Sequence, residues 1–163
     1  MIILIGGAEQ TGAEIVSFLN TANFNDLVIV HDHKSELENE QLVGKRYTKK
    51  IRYKETSRFL AANQLHVQFV IVTSEKGIDY AEDIWNACIK WGIPLIFASK
   101  TESKFDELIS INSKQPFYWA SVRYSEKNSA LLPKLVLHLM ENRKQPIQID
   151  LNNEAIRLQF EHV

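Results

Sequence analysis

The first twelve residues, Met1-Ile-Ile-Leu-Ile-Gly-Gly-Ala-Glu-Gln-Thr-Gly12, limit what this chain can fold into more than any other stretch. Met1 to Ile5 is a short apolar run rich in β-branched residues, which predicts a buried strand. Gly6, Gly7 and Gly12 interrupt it, and Ile15, Val16 and Leu19 then recur at the spacing of one apolar helix face. Strand, glycine turn and helix form a unit suited to a dinucleotide, because the helix N-terminus points unpaired N–H groups and a positive dipole end at a pyrophosphate. On this reading Gly6, Gly7, Gln10, Thr11 and Gly12 make the cradle. The outer spacing of G-x-x-G-x-x-G is kept, but its middle position holds Glu9. A carboxylate roughly 5 Å from a phosphate, at an effective dielectric of about 20, is repelled by about 3 kcal/mol. Two readings stay open: a weakened or altered nucleotide site, or a plain strand–turn–helix that keeps its glycines for close packing.

The 163 residues predict one domain, 1–163, with a core over 1–123 and a helix-plus-hairpin extension over 124–163. A net charge of −1 gives no general attraction for nucleic acid. The single cysteine, Cys88, excludes an internal disulfide framework and fits a reducing compartment. No apolar run approaches membrane-spanning length, and Met1 to Ile5 lacks a basic leader region, so a cytoplasmic location without membrane partners is expected.

Leu27 to Val30 predicts a second buried strand, followed by His31, Asp32, His33 and Lys34. An acid at this place binds ribose hydroxyls in dinucleotide folds, so Asp32 is a candidate, and Lys34 is one for a 2′-phosphate. The histidines flanking Asp32 find no further ligands in the sequence, and no metal site is expected. From Lys45 to Lys54 six basic residues alternate with Tyr47 and Tyr53. That strip reads as a strand with one solvated face, or as an RNA-binding surface on which bases stack. Val67 to Val72 predicts another strand, ending at Thr73 and Ser74, both candidate cofactor contacts. A helix is expected from 79 to 91, stopped by Gly92, with Cys88 on its apolar stripe as a core residue. Strands follow over 93–98 and 117–122, and helices over 104–111 and 131–140. Ile147, Ile149 and Leu151, then Ile156, Leu158 and Phe160, alternate with polar residues about Asn152-Asn153, which predicts a β-hairpin. Strands alternating with helices imply an α/β fold with a doubly wound, mostly parallel sheet covered on both faces.

Met1-Ile-Ile-Leu-Ile-Gly-Gly-Ala8, Val28-Ile-Val-His-Asp-His-Lys34, Trp91-Gly-Ile-Pro-Leu-Ile-Phe-Ala-Ser99 and Phe117-Tyr-Trp-Ala-Ser-Val-Arg123 together resemble the extended short-chain dehydrogenase/reductase family. The likeness is strongest to nucleotide-sugar epimerases such as the ADP-glycero-manno-heptose 6-epimerases. It implies a Rossmann-like fold, NAD or NADP as cofactor, and chemistry by a Ser/Thr with a Y-x-x-x-K pair. At the serine position this sequence has Lys100, after Ala98-Ser99, and no Tyr is followed four residues later by Lys. Lys104 matches the family lysine, and gap-free matching puts His31 at the ribose-binding acid position.

The sequence therefore leads to a shortened, degenerate relative of these epimerases, a binding or interaction module with NAD or NADP bound weakly. Its ligand is expected to be a nucleotide or nucleotide-sugar, and its assembly a homodimer. The alternatives are an active epimerase or reductase using the displaced residues Ser99, Lys100 or Lys104, and an RNA-binding module through Lys45 to Lys54.

Overall fold

The computed structural model describes residues 1–31, 40–74, 80–112 and 114–162. Seven strands form one sheet: β1 (Ile2–Ile5), β2 (Leu27–Val30), β3 (Lys49–Ile51), β4 (Phe69–Val72), β5 (Leu95–Ser99), β6 (Trp119–Arg123) and β7 (Ile147–Asp150). Their order is β3-β2-β1-β4-β5-β6-β7, and every pairing is parallel. Six α-helices are described: α1 (Gln10–Thr21), α2 (Thr56–Asn63), α3 (Ala81–Trp91), α4 (Lys104–Asn112), α5 (Leu132–Glu141) and α6 (Glu154–Glu161).

Helices cover both faces, so the central strands have no polar side. All four residues of β1, β2 and β4 are buried, which is why they read as unbroken apolar runs rather than alternating ones. Alternation still sorts their side chains. Ile2 and Leu4 join Ile15, Val16 and Leu19 of α1 and Leu135, Val136 and Leu139 of α5 in one core. Ile3 and Ile5 join Leu60, Ile84, Trp85 and Phe105 of α2, α3 and α4 in the other. Cys88 is fully buried in that second core, and burial pushes its thiol far up, as suits an inert apolar residue. No helix of the described residues is long and apolar enough to cross a membrane.

The chain end departs from the expected hairpin. β7 adds to the sheet in parallel, with Ile147 beside Ala120 and Ile149 beside Val122. The stretch expected to return as a strand is instead α6. Asn153 starts it, its side-chain oxygen accepting from the Ala155 and Ile156 backbone N–H groups at 3.1 and 3.3 Å. Ile156 and Phe160 are one helical turn apart and both pack on the core, while Leu158, midway between them, is 47% exposed. The same three apolar residues satisfy either period, and the cap decides between them.

The basic strip is shorter as a strand than expected, and one of its two tyrosines is buried in the fold. Lys49 and Lys50 of β3 are exposed, but Tyr47 packs on the core and Tyr53 is buried. Arg46 donates to the Asn20 carbonyl at 2.8 Å, tying the loop before β3 to the end of α1. Of the two tyrosines, Tyr53 is thus closed to stacking with a base, and Tyr47 stays partly exposed.

Candidate functional site

β1 lies between β2 and β4, so chain connections leave it in opposite directions. Such a reversal opens a crevice at the carboxyl ends of the strands. Here it holds a cleft of about 410 Å³ lined by polar residues that follow β1, β4, β5 and β6.

The glycine turn brings α1 to its mouth. Gly6 has φ +93°, and its carbonyl accepts from the Glu9 N–H at 3.0 Å to close the turn. Gly12, in the first turn of α1, lies directly against Gly6; a Cβ there would sit 2.0 Å from the Gly6 carbonyl oxygen. This contact sets α1 tightly on the turn, and Gln10 and Thr11 line the cleft. The first-turn N–H groups of a helix have no intrahelical partner, so geometry and dipole at this end favour an anion.

Glu9 opposes that preference. It is the N-cap of α1, but its side chain makes no capping bond. Instead Glu9 Oε1 accepts from Ser74 Oγ at 2.6 Å, joining the glycine turn after β1 to the end of the neighbouring strand β4. Ser74 Oγ in turn accepts from the buried Tyr53 hydroxyl at 2.9 Å. The Glu9 carboxylate is thus directed into the site, and Glu14 and Glu126 line it as well, with Lys100 the one lysine among the described lining residues.

The opposite wall comes from β5 and β6. Ser99 Oγ donates to the Thr101 carbonyl at 2.7 Å. Lys100 forms an ion pair with Glu126, and its ammonium lies 5.9 Å from the Tyr124 ring centroid. Tyr124 is 4% exposed, and burial raises its phenol above the usual value. A hydrogen bond with Thr11 and the Lys100 charge pull it down, while Glu126 and Glu9 push it up; the net direction is upward.

Of the residues expected from the sequence, Gln10, Thr11, Thr73, Ser74, Ser99 and Lys100 come together in the cleft. Gly6, Gly7 and Gly12 shape its turn. Lys104 does not line it: the side chain stands exposed at the start of α4, paired with Glu107 at 2.7 Å, which raises its pKa. His31 does not line it either; it is 1% exposed at the end of β2, its backbone N–H bonded to the Ile51 carbonyl. Asp32 and Lys34 lie outside the described residues. Sequence reasoning passed over Glu14, Tyr124, Glu126 and Ser129 as site residues. The last three follow β6, and strand ends near the reversal point are where such clefts form, so that position was the available signal.

No family model matches the sequence, and no curated protein is similar to it. Solved structures are similar in fold. The NAD complex of Thermus thermophilus UDP-glucose 4-epimerase has a TM-score of 0.62 at 10% identity, over 91% of this chain and 76% of that one. A short-chain dehydrogenase/reductase from Vibrio parahaemolyticus has a TM-score of 0.62 at 12% identity, over 92% and 99% of the two chains. The NADP complex of another, from Veillonella parvula, has a TM-score of 0.60 at 11% identity over 88% of each. At these identities the likeness is one of architecture. The chain has the Rossmann-like fold of UDP-glucose 4-epimerases and short-chain dehydrogenases/reductases, with its polar cleft at the point where that fold's strand order reverses.

Proposed function

We propose that this chain is a catalytically degenerate relative of NAD(P)-dependent nucleotide-sugar epimerases, serving as a binding or interaction module. The observation that carries this reading is the direction of Glu9. Its carboxylate reaches Ser74 at the end of the neighbouring strand, beside the helix end that would otherwise receive a pyrophosphate. Glu14 and Glu126 line the cleft as well, Glu126 in an ion pair with Lys100. NAD or NADP therefore binds weakly, and a nucleotide or nucleotide-sugar sensed here enters without placing its diphosphate on α1.

Active chemistry with displaced residues is the second reading, and Tyr124 beside Lys100 is what favours it. A tyrosine acid–base needs a pKa drawn down toward the working pH. Tyr124 is moved the other way, so its phenol stays protonated at neutral pH and is a poor base. Incubation of the protein with nucleotide-sugars and NAD or NADP is expected to give no turnover above the enzyme-free control. Turnover that disappears in a Tyr124→Phe variant would overturn the non-catalytic reading.

A homodimer belongs to the same proposal. β7 is one of the two edge strands of the sheet, with Ile147 39% exposed, and an edge strand invites pairing with a second copy. Light scattering is expected to return a dimer mass for the intact chain. A monomer mass rules the pairing out.

A further inference from the structure

An N-cap carboxylate has an easy local option: to fold back and accept from the second or third N–H of its own helix. Glu9 does not take it. Its oxygen is instead 2.6 Å from the hydroxyl of Ser74, 65 residues further along the chain. Ser74 is itself placed from two sides. Its backbone nitrogen and Cβ lie so close to Gly6 that a Cβ on Gly6 would come within 2.9 and 2.7 Å of them, which fixes where the side chain starts. Its oxygen accepts from Tyr53, whose ring is 4% exposed and stacked on Tyr80 with centroids 5.9 Å apart and planes 14° from parallel. Tyr53 donates to Ser74 and Ser74 donates to Glu9, so each bond polarises the next and directs the chain of hydroxyls at the carboxylate.

We propose that Ser74, placed by Tyr53, is a specificity-determining residue of the cleft: it holds the Glu9 carboxylate at the glycine turn, in the lining of the cleft, and so turns a dinucleotide-shaped crevice away from diphosphates. This rests on the reading of Glu9 as the barrier to NAD(H) and adds what keeps that barrier in place. A carboxylate on an unrestrained side chain swings away from an arriving phosphate and loses most of the repulsion; one drawn toward Ser74 is biased to stay. Exclusion by this fold then depends on three residues from separate elements: the glycine turn, the end of β4, and the 3₁₀ turn Tyr53–Glu55 after β3. Tyr53 touches no ligand in this scheme; it is a positioning residue.

The test is NADH fluorescence titration of the full chain and four variants: Glu9→Gly, Ser74→Ala, Tyr53→Phe and the Glu9→Gly/Ser74→Ala double variant. Ser74→Ala keeps the Cβ that packs on Gly6, and Tyr53→Phe keeps the ring that stacks on Tyr80, so each removes only a hydroxyl. Ser74→Ala is expected to tighten NADH binding about three- to tenfold, and Tyr53→Phe about twofold. The double variant should bind no more tightly than Glu9→Gly alone, because the effect assigned to Ser74 acts through the Glu9 carboxylate. That loss of additivity separates holding Glu9 from a general loosening of the cleft, which would add in both backgrounds. If Ser74→Ala fails to fold, Tyr53→Phe carries the same comparison. A gain in Glu9→Gly with none in Ser74→Ala or Tyr53→Phe overturns the role of Ser74 and leaves Glu9 as the barrier. No gain in any variant overturns the reading of Glu9 itself.

Discussion

The Gly12→Ala variant is expected to lose about 3–5 kcal/mol of folding stability, at or above the upper end of what overpacking usually costs. The reason lies in what its one added carbon meets. A Cβ at position 12 would sit 2.0 Å from the Gly6 carbonyl oxygen, 2.6 Å from the Gly6 carbonyl carbon and 2.8 Å from the Gly7 Cα. All three are backbone atoms, so no side-chain rotation relieves the clash. Either α1 lifts from the turn or the end of β1 moves. β1 is paired with β2 and β4 along its whole length, and α1 buries Ile15, Val16 and Leu19 against the sheet. Against a total stability of about 5–15 kcal/mol for a domain of ordinary size, the loss leaves a marginal fold. Urea unfolding monitored by circular dichroism measures it, with exposed Ser17→Ala on the same helix as the control, expected within about 0.5 kcal/mol of the native chain. Equal midpoints for Gly12→Ala and the control would show that the turn is looser than this contact requires.

That contact also shows which parts of the molecule were legible in the sequence. β1, β2, β4 and most of β5 were visible because burial on both faces leaves an unbroken apolar run, and the glycine spacing marks a turn where backbone must touch backbone. The chain end was not visible in the same way. Ile156, Leu158 and Phe160 alternate like a strand, yet two of them are also one helical turn apart, and only the Asn153 side chain bonded to Ala155 and Ile156 breaks the tie. The cleft divides similarly. Thr73 and Ser74 stand at a strand end and are named as site residues from that alone, and Ser99 and Lys100 from the family pattern. Tyr124 and Glu126 stand at a strand end too, but their place beside Thr11 and Lys100 follows from β6 lying next to β5, and strand order is written in no single segment. His31 and Lys104 rest on the family pattern alone; His31 is buried at the end of β2, and Lys104 is exposed at the start of α4 in a pair with Glu107, and neither lines the cleft. The direction of Glu9 was out of reach for the same reason as Tyr124. A side chain in a turn can point to solvent or inward, and here the choice is made by a hydroxyl on another strand.

That choice has a measurable size. The repulsion between a carboxylate and a phosphate at roughly 5 Å is about 3 kcal/mol at an effective dielectric of about 20. Part of it is lost when the side chain shifts to meet a ligand, and part when solvent enters the cleft. Glycine at position 9 removes the charge and the bulk together. The backbone there has φ −80° and ψ 160°, an extended conformation that glycine adopts freely, so the turn keeps its shape. A tightening of NADH binding by at least about tenfold is expected for Glu9→Gly, which is about 1.4 kcal/mol and below the unscreened repulsion. Glu9→Gln, which keeps most of the bulk and loses the charge, should recover a large share of that gain.

The most direct measurement is the fluorescence titration of the native chain and Glu9→Gly with NADH, side by side at physiological salt. Weak or undetectable binding by the native protein and at least tenfold tighter binding by Glu9→Gly is the expected result. Tight binding by the native protein, or equal affinity in the two, would contradict the exclusion of dinucleotides by Glu9.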